Sequence, residues 1–121
     1  MTLARRALLV ALLALPALPV LAHHGWRWTD DGDFELTGRI TAAELGNPHG
    51  LLTVEANGEV WTVEVGQPWR NERAGVTDAM LAPGGEITVR GHRAADPAQL
   101  VVKAERLVLG GQVYDLYPDR S

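Results

Sequence analysis

The hydrophobic rhythm of the chain changes twice, and those changes lay out its elements. From Phe34 apolar and polar positions alternate, with Phe34, Leu36, Ile40 and Ala42 on one side and Glu35, Thr37, Arg39 and Thr41 on the other. That is the two-residue period of a half-buried strand. Gly38 falls on the apolar side of the run, where a missing side chain marks a bulge or sharp bend that lets a small sheet curl. Two further runs, Leu51 to Ala56 and Glu59 to Val65, flank Asn57-Gly58, the pair best suited to a two-residue turn with positive φ at both positions. They predict a hairpin with Leu52, Val54 and Ala56 inward on one strand and Trp61, Val63 and Val65 inward on the other.

Alternation stops at "GQPWRNERAGVTDAMLAPGGE". Pro68 opens one or two helical turns that close at Gly75, and the Thr77 hydroxyl can cap a second short turn over residues 78–81. Pro83-Gly84-Gly85 reverses the chain. Beyond it "EITVRGHR" and "LVVKAERLVL", joined by "AADPAQ", supply two more strands, with a short last one at residues 112–114. Three strands, a helical connection and two strands is the order of a five-stranded Greek-key barrel of the oligonucleotide/oligosaccharide-binding (OB) type. The expected fold class is therefore mainly β: a small five- to six-stranded antiparallel barrel, OB-like, with one short helix between strands three and four, over residues 34–117. An open meander with the same hairpin is the alternative.

Ahead of this domain, residues 1–22 have the layout of an export signal. Arg5 and Arg6 give the positive start, "ALLVALLALPALPVLA" the apolar middle, and Val20-Leu21-Ala22 the small-residue cleavage pattern. Pro16 and Pro19 interrupt a run already marginal for a span of about 20 residues, so the expectation is cleavage, no lasting membrane span, and a periplasmic or secreted protein. Cleavage after Ala22 leaves about 99 of the 121 residues, enough for one domain, with residues 23–33 as an N-terminal tail. Removing Arg5 and Arg6 from the 11 basic residues leaves 9 against 15 acidic ones, a formal charge of −6, which makes nucleic acid a poor partner. There is no cysteine, which excludes disulfides, thiolate nucleophiles and sulfur-rich metal sites.

The candidate chemistry lies in the histidines. All four sit at ends or loops: His23 and His24 at the mature terminus, His49 before strand two, and His92 as strand four closes. In an OB-like barrel the loops between strands one and two and between strands four and five flank the same face, which puts His49 and His92 on one side. Cleavage would free the α-amine of His23, whose reference pKa of about 7.7–8.0 lets it lose a proton readily to a metal. That amine, the imidazoles of His23 and His24, and His49 with His92 nearby form a nitrogen-rich set suited to Cu(II) first and Zn(II) second. Protons compete for every such ligand, so binding is expected to weaken as pH falls through the imidazole range near about 6.5. The loop "GNPHG" could aim His49, because Pro48 holds Asn47 extended. The competing reading is a solvated histidine tail, with His49 bonded only within its loop.

The remaining residues point away from catalysis. The single serine is the terminal Ser121 and no carboxylate pair is placed by a recognisable motif, so the chain reads as a non-enzyme. Residues 29–33, "TDDGD", lack the spaced ligands of a calcium loop. Trp61 alternates with valines as a core residue, Trp69 is expected to cover the open end of the barrel, and Trp26 and Trp28 share a parity that packs the tail or leaves an exposed pair. Exposed tryptophans on the barrel face would suit the alternative function, an accessory module for a glycan, peptide or protein partner.

Four motifs in order, His23-His24, Asn47-Pro48-His49, Pro83-Gly84-Gly85-Glu86 and Val89-Arg90-Gly91-His92, resemble those of a family of small exported bacterial proteins classed as a domain of unknown function. The likeness covers nearly the whole mature chain. It departs at Gly25-Trp26, where members often carry Ser and Phe, at the extra glycine of the Pro-Gly turn, and at Asp96-Pro97, where they often have Asp-Gly. The resemblance implies export and a small β-barrel, and it implies no activity.

Overall fold

The computed structural model describes residues 25–46 and 48–120. The leader assigned to residues 1–22, together with His23, His24, Asn47 and Ser121, lies outside the described residues. Among the described residues six strands are present: β1 Phe34–Glu44, β2 Leu51–Ala56, β3 Glu59–Glu64, β4 Glu86–Arg93, β5 Val101–Leu109 and β6 Gln112–Asp115. One helix, α1 Pro68–Arg73, and a 3-10 turn at Asp78–Leu81 fill the gap between β3 and β4. The hairpin forms in the expected register, Ala56 opposite Glu59 and Val54 opposite Trp61, with Asn57 at φ 53° and Gly58 at φ 79°.

Neighbouring strands run β3-β2-β1-β4-β5-β6, and β3 also pairs with β5. This last contact closes five strands into a barrel, with β6 added to the far half of β5. The barrel is antiparallel except at the closure, where β3 and β5 run parallel through Thr62–Val101, Val63–Val102 and Glu64–Lys103. Strand β1 serves two partners, pairing with β4 over Phe34 to Arg39 and with β2 over Arg39 to Glu44. Its register slips between Ile40 and Ala42, so the bulge falls at Thr41 and not at Gly38. Gly38 does something else: a Cβ there would run into the backbone carbonyl of Glu55, so its missing side chain admits the crossing of β2. Gly91 does the same for β5 at the Lys103 carbonyl.

The inward positions read from alternation do form the core. Ile40, Val54, Val63, Val89, Val102 and Leu107 have no exposure, and Trp61, 3% exposed, joins them. Helix α1 is anchored by Asn71, whose amide donates to the Gly66 carbonyl at 3.0 Å and accepts from the Gly66 N–H at 2.9 Å. Thr77 caps the 3-10 turn through Met80 N–H. Trp69 does not cover the barrel end; it is 50% exposed, stacked under the Arg70 guanidinium at 4.6 Å. Among the described residues no helix is long and apolar enough to cross a membrane.

Candidate functional site

Alternation fixes what happens on the outside of the closure. Val63 and Val102 face the core, so Glu64 and Lys103, one position along each strand and paired in register, point outward. His92 is the register partner of Lys103 on β4. The slip between Arg90 and Gly91 leaves Glu105 as the extra residue of β5, turned outward between the inward Ala104 and Leu107. An outer face should be wet, yet Glu64, His92, Lys103 and Glu105 are only 5%, 7%, 2% and 8% exposed.

Both ends of the described chain cover them. The turn at Gly25–Trp28 enters through an isolated bridge between Thr29 and Ala94, and it lays Trp26 against Tyr117 with ring centroids 5.1 Å apart and against His92 at 5.7 Å. Within the tail expected at residues 23–33, Trp26 and Thr29 lie against the barrel. Charges and rings then alternate across the layer. The Arg120 guanidinium lies 3.8 Å from the Trp26 ring, the Lys103 ammonium 4.9 Å from Trp26 and 5.7 Å from Tyr117, and Arg70 4.2 Å from Tyr117. Such contacts gain strength when the cation is desolvated.

Two carboxylates order the cations. Lys103 Nζ donates to Glu64 Oε2 at 3.2 Å, and Arg120 Nε donates to Glu105 Oε2 at 2.9 Å. Burial pushes the Glu64 carboxyl above its ordinary range against the pull of Lys103, and burial likewise lowers the Lys103 ammonium despite Glu64. Glu105 shifts the other way: burial pushes it up, but hydrogen bonds from Arg120 and His92 prevail and hold it low.

The two described histidines fall in this one layer, separated by the Glu64–Lys103 pair. His92 is fully engaged, its Nδ1 donating to the Gly32 carbonyl at 2.7 Å and its Nε2 3.0 Å from Glu105 Oε2. Both ring nitrogens thus face an oxygen of a neighbouring residue. His49 differs. Its Nδ1 lies 3.3 Å from Glu64 Oε1, within ion-pair range, but is not aligned for a hydrogen bond and is buried without a partner. Burial first, then Lys103 and Arg70, lower its basicity. Among the described residues no three His, Asp or Glu side chains gather as a metal cluster.

Sequence reasoning missed Glu64, Lys103, Glu105, Tyr117 and Arg120. One signal was present: Lys103 interrupts the apolar run "LVVKA" and is the only lysine among the 11 basic side chains.

Solved structures place the architecture. The chain is similar to one in the S. pombe Stn1-Ten1 complex (TM-score 0.51, 20% identity, 64% of this chain and 57% of that one). It is also similar to the ZRD-deleted mutant of TiaS in complex with agmatine (TM-score 0.51, 15% identity, 69% of this chain and 26% of that one). The chain thus spans little more than half of the first and about a quarter of the second, and at these identities the likeness is one of fold: a small OB-like barrel. Within that class the sequence is specific, because residues 10–101 match the family of unknown function DUF6152, and the chain belongs to that family. Lys103, Glu105, Tyr117 and Arg120 follow the matched stretch. No curated protein matches the chain.

Proposed function

We propose that this is an exported, non-catalytic protein that binds a divalent metal ion between the His49–Glu64 pair and the nitrogen donors of His23 and His24. The observation supporting it is the unpartnered Nδ1 of His49, 3.3 Å from Glu64 Oε1. With nitrogen donors in the majority, Cu(II) comes first and Zn(II) second. Burial lowers the basicity of the ring, which favours the neutral form a metal needs. Trp26 sets the point of entry of the N-terminus at this layer, and the two residues from His24 to Trp26 span at most about 7 Å. Binding without turnover agrees with a chain that has no cysteine and a single, terminal serine.

The test is titration of protein beginning at His23 with Zn(II) and Cu(II), beside a version carrying one extra residue before His23 and beside His49→Ala and Glu64→Gln. Each change should weaken binding. If the extension leaves affinity unchanged the terminal amine is not a ligand, and if His49→Ala and Glu64→Gln are also silent the site does not exist.

A second reading, an accessory binding module for a glycan or peptide, is favoured by one observation, the half-exposed Trp69 under Arg70. Capture on a glycan or peptide array that survives chelator and His49→Ala, yet fails on Trp69→Ala, would select it.

A further inference from the structure

Lys103 is the only lysine of the sequence, and its side chain, 2% exposed, touches one carboxylate and two ring faces. The carboxylate is Glu64, through Oε2 at 3.2 Å; the rings are Trp26 and Tyr117. The other oxygen of the same carboxylate faces His49. One carboxylate therefore stands between an ammonium and the imidazole to which the metal reading gives an ion. Resting on that reading, we propose that Lys103 is an internal competitor for the ion: in the empty protein its ammonium neutralises Glu64, and an ion entering beside His49 has to share or take that carboxylate.

The residue type fits the role. An ammonium is a compact point charge on a flexible four-carbon stem, able to swing off one partner, whereas a guanidinium would grip both carboxylate oxygens at once. The Trp26 and Tyr117 faces hold a cation without using a lone pair on Glu64, so the displaced ammonium keeps favourable neighbours. A divalent ion arriving within a few ångströms of a fixed positive charge in a poorly solvated layer is opposed. The site is therefore weaker and more exchangeable than its ligands alone would make it, which suits a carrier or sensor of metal more than a structural metal centre.

A single lysine makes the test direct. Metal-free protein beginning at His23 and labelled with 15N-lysine gives one side-chain ammonium resonance, followed during Zn(II) titration. The resonance should move in step with occupancy. Lys103→Gln, which keeps a hydrogen-bond donor but removes the charge, should tighten Zn(II) binding by about tenfold or more, and Lys103→Met should act in the same direction. Arg106→Gln removes a cation that pairs with Asp115 and Glu105, not Glu64, and should change affinity less than about twofold. If wild type binds Zn(II) while the resonance stays put, or Lys103→Gln binds equally or more weakly, the competition is refuted and the metal site stands. If Zn(II) binds neither wild type nor any Lys103 variant, the metal reading falls and the competition with it. Should the substitutions fail to fold, the wild-type resonance decides.

Discussion

Removing Glu64 measures how the outer layer is held together. Burial raises the Glu64 carboxyl and lowers the Lys103 ammonium, so each charge is worse off in the fold than in water, and pairing returns only part of the loss. Breaking such a pair by deleting one partner typically costs about 3–5 kcal/mol, whereas replacing both with apolar groups is often neutral or stabilising by about 1–4 kcal/mol. Glu64→Leu leaves an ammonium that is 2% exposed with Arg70 and Arg120 as charged neighbours, both of which disfavour it, and belongs at the upper end. Lys103→Met leaves a carboxyl that can take a proton, the form burial already favours, and belongs at the lower end. A domain of this size has about 5–15 kcal/mol in total, and each kcal/mol moves Tm by about 4–8 °C, so even the milder variant should melt about 12–24 °C lower. Glu64→Leu combined with Lys103→Met should return to wild type or above. Urea denaturation followed by circular dichroism at pH 7, in chelator so that no metal contributes, gives the three values. The compensation argument is refuted if Glu64→Leu stays within about 1 kcal/mol of wild type, or if the double variant is no more stable than the worse single one.

Three further outcomes follow from the same geometry. Gly38→Ala and Gly91→Ala each drive a Cβ into a neighbouring strand's carbonyl and should cost about 2 kcal/mol or more by urea titration, while Gly46→Ala, which meets nothing within 4 Å, should be silent; equal stabilities for all three would contradict the strand crossings. Trp61→Ala should cost about 3–5 kcal/mol as a core truncation, and Trp69→Ala, exposed and outside the core, less than about 0.5 kcal/mol; a large loss at Trp69 would mean it does pack the barrel. Glu105 titrates below its unfolded value, so the stability it contributes is present above about pH 4.3 and is lost as pH falls through the lower folded value; Glu64, raised in the fold, contributes in the opposite sense, its share present at low pH and lost as pH rises through the folded value. Glu105→Gln should therefore flatten the acid limb of a stability-against-pH curve, and an unchanged limb would rule out this assignment.

The sequence by itself determined the local elements. Asn57-Gly58 set the hairpin because φ is positive at both positions, Pro68 and Gly75 bounded the helical turn, Thr77 capped the next, and period-two alternation told which side of each strand faces the core. Those signals act within a few residues and so survive in the sequence alone. The site did not, because it is made of contacts that alternation cannot see. Alternation marked Glu64 as outward, and an outward charge is read as solvated. Only the parallel closure brings Glu64 to Lys103, 39 residues away, and only the packing of Trp26 and Tyr117 from opposite ends of the described chain takes that outer face out of water. The same closure parts two histidines that topology alone places on one side, leaving His92 bonded at both nitrogens and His49 with one unclaimed. Whether an outer charge is solvated or buried depends on where distant segments come to rest, and in this barrel the tertiary structure decided it.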